Sequence, residues 1–224
     1  MRAIEKMLQL SSGDFFDWQI ANLQAKNYDR AMGKRKFSSS VEVLREVALG
    51  VPSAQEGCIP FLVVLPKSVL RIEQQISRVI LGGKYGKQRG VTTIPSSGFK
   101  NMKGLRTPSV PYLVLGIGLG MDEERFRVPV PDKRAELLAE SGRSPLTIEE
   151  GVSLTTHFPE LLRDDWTLCL HGSRALFMGQ VQGLFRFGGC CEDHILIKPM
   201  LGFVPSHMQG SSYLVPSCSS RLVL

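Results

Sequence analysis

Apolar residues recur at helical spacing early in the chain and gather into short unbroken runs later, and the two textures predict different elements. From Phe15 to Asn27, Phe16, Ile20 and Leu23 recur three or four residues apart behind Asp14 as a cap. That pattern predicts an amphipathic helix, which Trp18 helps to bury. A second helix is predicted to start at Ser39, at capping-box spacing from Glu42, and to run through Val43, Leu44 and Val47 to a stop at Gly50 and Pro52. Before it, Gly33 to Ser40, GKRKFSSS, reads as a basic, serine-rich connection. Pro60 to Pro66 is a buried strand by its continuous apolar run, and Val69, Ile72, Ile76 and Ile80 place a helix over residues 68–80.

The best-marked element lies within Ser141 to Asp165, SGRSPLTIEEGVSLTTHFPELLRDD. Gly142 closes a short helix over residues 131–141, Pro145 blocks its continuation, and Thr147 with Glu150 forms a capping box that opens a new helix. Glu149 and Glu150 place negative charge at the positive end of that helix, Val152 and Leu154 give it an apolar side, and Pro159 ends the run. His157 then sits where an imidazolium would cap the C-terminal end.

Beyond Asp165, strands are predicted at residues 166–170, 181–187, 194–198 and 213–215, with His171 to Arg174 as a tight polar connection. The fold class is α+β: helices in the N-terminal and middle parts, and an antiparallel sheet built largely from the C-terminal half. No shift in composition marks a linker, so one domain over residues 1–224 is expected, with residues 1–13 and 205–224 poorly ordered.

Composition narrows the class without naming an activity. The chain has 43% hydrophobic and 21% charged residues, ordinary for a globular protein, and no apolar run long enough to span a bilayer. No signal peptide opens it, and its five cysteines lack CxxC spacing, so a soluble cytoplasmic protein with reduced thiols is expected, without membrane contact, cofactor or metal. The net charge of +6 is uneven: there are 17 basic against 8 acidic residues through Tyr112, and 10 against 13 after it. Between Gln74 and Met121 there is no acid, while Arg78, Lys84, Lys87, Arg89, Lys100, Lys103 and Arg106 are all present. Such a block allows weak, non-specific contact with nucleic acid, although only Tyr85 and Phe99 interleave with its charges.

Two glycine-rich runs resemble nucleotide loops and fail on spacing. Leu81 to Gly90, LGGKYGKQRG, lacks the Lys-Ser or Lys-Thr that would open a helix under a phosphate, and reads as a solvated loop. In Pro111 to Gly120, PYLVLGIGLG, the third glycine comes one position early for a dinucleotide fingerprint, so this is a strand whose glycines allow a bend or a close backbone approach.

From Pro60 onward an ordered set of motifs stands out: Leu81-Gly82-Gly83, Pro111-Tyr112, the run Gly142 to Gly151 (GRSPLTIEEG), Thr156-His157-Phe158-Pro159 and Gly172-Ser173-Arg174. On these the chain resembles an uncharacterised bacterial family, common in actinobacteria, known only as a domain of unknown function. The resemblance implies a soluble bacterial protein and brings no activity. Its members continue into a Trp-rich ending, whereas Gly202 to Pro205 and Gly210 to Tyr213 contain no Trp here.

Four chemistries can be weighed on these residues. Cys190 or Cys191 with Asp193 and His194 would make a nucleophile and base, but along one extended strand residues three or four apart stand roughly 10 Å from each other. His157, His171, Glu149 and Glu150 would make a metal or acid-base cluster, without the paired spacing that such sites show. Arg143, Thr147, His157, Ser173 and Arg174 would surround a small anionic ligand at the helix start, unless Arg143 and Arg174 simply pair with Glu149 and Glu150 and dock the helix. The fourth is the basic block. A binding or interaction protein is the expected function, and a small hydrolase-like enzyme using polar residues around His157 and Ser173 is the alternative; the sequence does not decide whether the chain is an enzyme.

Overall fold

The structure is a computed structural model and describes residues 2–7, 9–52, 57–83, 86–93, 95–120, 131–162, 167–175, 181–191, 194–204 and 213–222. Helix α1 (Arg2–Met7) leads into α2 (Ser12–Ala25), where Ser11 is the cap and accepts from the Asp14 amide at 3.1 Å. Asp14, expected as the cap, lies in the first turn and takes the Ser11 hydroxyl at 2.6 Å. After α3 (Tyr28–Met32) comes α4 (Lys34–Leu49), which begins earlier than the Ser39 box suggested. Phe37 is buried and anchors that first turn in the core, so the basic connection is itself helix.

Strand β1 (Cys58–Val64) is followed by α5, which spans only Ile72–Ile76. Next, β2 (Ile80–Gly83) and β3 (Gly86–Arg89) pair as an antiparallel hairpin where a solvated loop was expected. Then come β4 (Val91–Thr92), β5 (Phe99–Asn101), β6 (Tyr112–Gly118), α6 (Pro131–Glu140) and β7 (Ser144–Pro145), and after them α7 (Ile148–His157). The last strands are β8 (Thr167–Ala175), β9 (Val181–Cys191), β10 (His194–Val204), β11 (Tyr213–Leu214), β12 (Ser217–Cys218) and β13 (Ser220–Leu222).

The α+β class is as expected, with the strands divided between two main sheets. One runs β1-β6-β12-β7 with β13 also on β6, and the other β11-β8-β9-β10-β4 with β5 also on β8. Nearly all pairings are antiparallel; β10 with β4 and β11 with β8 are parallel. Within the C-terminal stretch expected to be poorly ordered, the described segment 213–222 instead closes the first sheet, with Leu222 opposite Leu113 and Ser217 opposite both Gly118 and Pro145. It is fixed because Val215 and Cys218 are buried and β6 would otherwise carry an unpaired edge. Gly120, at φ +68°, lets β6 leave this sheet: a Cβ there would sit 2.5 Å from the Val215 carbonyl oxygen.

Helix α7 packs against β1 of the first sheet, β8 and β9 of the second, and α5. One contiguous hydrophobic cluster joins Phe15 and Phe16 of α2, Phe61 of β1, Tyr112 of β6, Val152 and Leu154 of α7, and Cys218 of β12. The predicted connection over His171 to Arg174 is strand: β8 continues through it with a register shift between Leu170 and Arg174. Gly172 makes the continuation possible, since its amide donates to the Leu146 carbonyl at 2.9 Å and an added Cβ would lie 2.7 Å from that same oxygen. Gly172→Ala is therefore expected to destabilise the fold by about 1–3 kcal/mol, read as a lower urea midpoint with an unchanged slope.

Candidate functional site

All ten residues of α7 are buried, so this helix has no solvent face. At its start the capping box is complete: the Glu150 amide donates to Thr147 Oγ1 at 3.4 Å and the Thr147 amide to Glu150 Oε2 at 2.8 Å. The Ile148 amide donates to Ser173 Oγ at 3.0 Å. Glu150, fully buried, also takes the fork of Arg221, Nε at 2.6 Å on Oε1 and Nη2 at 2.9 Å on Oε2, and the Tyr112 hydroxyl at 3.0 Å. Burial alone would lower the Arg221 pKa; the hydrogen bonds and charge of Glu150 more than reverse this and push it up. The Tyr112 phenol is pushed far above its ordinary range, first by burial and then by the carboxylates of Glu150 and Glu149.

The small-anion site expected here is thus filled from within. Glu150 occupies the place of an external anion, and its neutralising cation is Arg221. Arg143, expected either at that ligand or beside the acids, instead donates to the Ser217 hydroxyl at 2.8 Å and to the Gly116 and Ser217 carbonyls at 2.7 and 3.0 Å, tying β6 to β12. Arg174 donates to the His171 and Ser173 carbonyls. Glu149 differs from its neighbour: Oε1 takes the Lys67 amide at 3.2 Å, Oε2 is buried with no hydrogen-bond partner among the described residues, and burial raises its pKa against the opposing Lys67 amide.

At the other end of α7, His157 is not the cationic cap. Asn22 Nδ2 donates to His157 Nδ1 at 3.0 Å, which leaves the proton on Nε2, itself buried without a partner among the described residues. Burial, reinforced by the charge of Lys26, drops the His157 pKa to about 3, so the ring is neutral. The cation that caps the helix is Lys26, the residue that follows α2, whose ammonium donates to the Thr156 carbonyl, joined there by Asn22 at 3.2 Å. Burial lowers Lys26 to about 8, partly offset by Glu160. Trp18 lies over this end, its ring 5.7 Å from that of His157 and 5.4 Å from that of Phe158.

These positions separate the remaining candidates. Ser173 meets the first turn of α7 and His157 is its last residue, so the helix holds them roughly 13 Å apart along its axis, and both are buried; they make no hydrolytic pair. Glu149 and Glu150 are separated from His157 in the same way, and among the described residues no three His, Cys, Asp or Glu side chains group as a metal site. Cys191 and His194 are cross-strand partners in the β9–β10 hairpin, and Cys190 pairs with Ile195, so the extended-strand spacing does not describe them. Asp193 lies outside the described residues. Cys58, Cys169 and Cys218 are reduced, in no disulfide, and burial raises the Cys218 pKa to about 12.

Among the described residues, the basic block is spread over separate elements. Arg78 lies over the Tyr28 ring, 5.5 Å from its centroid, and donates to the Gln74 carbonyl. Lys87 and Arg89 stand exposed on β3, near β10; Lys100 is on β5. Since β4 and β5 lie at opposite sides of the second sheet, four strand spacings put them roughly 19 Å apart along it. Lys103 and Arg106 follow β5 in exposed chain, and Lys84 lies outside the described residues.

Concavity is found elsewhere, at the start of α4. A groove of about 750 Å³ is lined by Lys34, Arg35 and Lys36, by Ser39 and Ser40, and by Val43, Leu44, Val110 and Pro111. No acid lines it. Its rim is held in place: Phe37 and Leu44 are anchored in the core, and Ser68 Oγ fixes the opposite bank by donating to the Ser109 carbonyl at 2.6 Å.

Fold and site together define an α+β protein built round a fully buried helix locked at both ends, with a basic groove on one side. Residues 22–183 match a family of unknown function, DUF5701, and the chain belongs to that family. No curated protein and no solved structure matches it. The motifs that stood out in the sequence now have structural uses. Gly142 to Gly151 carries the Arg143 tie and the capping box, Thr156-His157 the capped end of α7, and Gly172-Ser173 the close approach and the bond to Ile148. Sequence reading missed Arg221, although a signal existed: it is the one Lys, Arg, Asp or Glu between Leu201 and Leu224, set beside Leu222 and Val223. The groove was missed because its lysines and arginine read as a linker.

Proposed function

We propose that this protein is a binding or interaction module whose ligand face is the groove at the start of α4, and that its ligand is anionic. The observation that carries this is the lining itself: three consecutive cations and four aliphatic residues, with no acid among them. Opposed potentials of this kind steer and orient an acidic partner. A hydrolase finds less support, because Ser173 and His157 are buried at opposite ends of one helix. The reduced thiols and the absence, among the described residues, of any helix long and apolar enough to cross a membrane are compatible with a cytoplasmic setting in a bacterium.

The test is fluorescence anisotropy with a labelled polyglutamate peptide at low ionic strength. Binding is expected, weakening as salt rises, and is lost when Lys34, Arg35 and Lys36 are all changed to Glu. Reversal of Lys87 and Arg89 leaves it intact. If the unmodified protein does not bind the peptide, the reading fails.

A further inference from the structure

We infer that the groove takes an acidic peptide segment carrying one aliphatic side chain, presented by a partner protein. This rests on the reading of the groove as the ligand face and adds the chemistry of what enters it. Val43 and Val110 are 46% and 47% exposed, among the most exposed large apolar residues described, and both line the same groove. Pro111 and the buried Leu44 line it as well. A purely ionic ligand would leave the two valines in water; a leucine-sized side chain set among carboxylates covers them while the carboxylates meet Lys34, Arg35 and Lys36.

The lining also separates a peptide from a nucleic-acid strand. Strand binding draws on aromatic side chains on which bases stack, and the groove contains none: its apolar members are Val43, Leu44, Val110 and Pro111. Ser39 and Ser40 also line the groove and offer hydroxyls to a peptide backbone. Glu42 and Glu46 are on α4 but do not line the groove, and Arg45 is engaged with Asp17 at 3.1 Å.

The experiment uses two acidic peptides of equal charge, with a central Leu or a central Ser among glutamates, titrated into the full chain by anisotropy. The Leu peptide is expected to bind about ten-fold more tightly, the increment for partly burying one aliphatic side chain. The double variant Val43→Ser, Val110→Ser is expected to abolish the difference between the two peptides, a selective loss that a folding defect, which lowers both affinities together, would not give. If both peptides bind equally, this inference is overturned while the anionic groove stands; if neither binds, the groove reading itself fails. Tighter binding of an oligothymidylate, lost in the triple Glu variant, would overturn the peptide in favour of a nucleic-acid strand. Self-association in sedimentation velocity that the Val43→Ser, Val110→Ser pair abolishes, with no peptide bound, would overturn it in favour of a second copy.

Discussion

Replacing Arg221 with Met lowers the unfolding free energy by about 3–5 kcal/mol, the expected effect of leaving a buried carboxylate without its partner. Glu150 is 0% exposed and its two oxygens are shared among Arg221, Tyr112 and the Thr147 amide. Without the guanidinium, Glu150 must either hold an unpaired charge in the core or take up a proton, and each route opposes folding. Urea unfolding at neutral pH measures the loss. The double variant Glu150→Gln, Arg221→Met recovers a large part of it, because a neutral amide needs no counter-charge. A loss below about 1 kcal/mol for Arg221→Met would mean that the pair behaves like a surface bridge, and the account of the capping box would fall. Glu149→Gln is the internal control. Its folded pKa lies above the ordinary glutamate value of 4.5, so the native state binds the extra proton, and its contribution is fully present only below that value and fades as pH rises. At neutral pH the Gln variant is accordingly neutral or stabilising, although it alters the residue next to Glu150.

The second large effect concerns acid. His157 has a folded pKa of about 3 against 6.5 for a free imidazole. Between those values the unfolded chain binds a proton that the native state refuses, so stability is complete above the free value and falls as pH drops below it. The single residue accounts for a loss of roughly 2–3 kcal/mol between pH 6.5 and pH 4.5. Lys26 sets part of this, since protonating the ring would place a second cation beside its ammonium. His157→Gln keeps an acceptor for Asn22 and removes the titration. Unfolding midpoints followed across this interval should therefore fall less steeply in the variant. Parallel curves for the two proteins would show that His157 is not the group responsible.

What the sequence made legible was local. The Thr147–Glu150 box needs only four consecutive residues, and its geometry follows from helix ends in general. Capping at the far end was misassigned to His157 because the dipole argument considers charge and ignores solvent; once the ring is buried beside Lys26, desolvation outweighs the attraction of the helix terminus. The start of α4 was displaced for a related reason. A run of Lys, Arg and Ser has no apolar period to detect, and the burial of Phe37 alone brings it into the helix. The division into two sheets was hidden because β12 and β13 are two and three residues long and acquire their partners only from β6 and β7. Among the proposed site residues, Thr147 and Ser173 do meet the same helix start, and Arg143 and His157 are drawn into other ties.

The ties on α7 come from both flanks of the chain: Asn22 and Lys26 lie 134 and 130 residues before their partner Thr156, and Arg221 lies 71 residues after Glu150. The stretch that matches the family, residues 22–183, excludes Trp18 at one side and all of β10 to β13 at the other. Boundaries drawn from that match are therefore not folding boundaries. A fragment trimmed to them keeps the helix and its capping box but discards the guanidinium that neutralises the box, two of the strands that pair with β6, and the indole that covers His157.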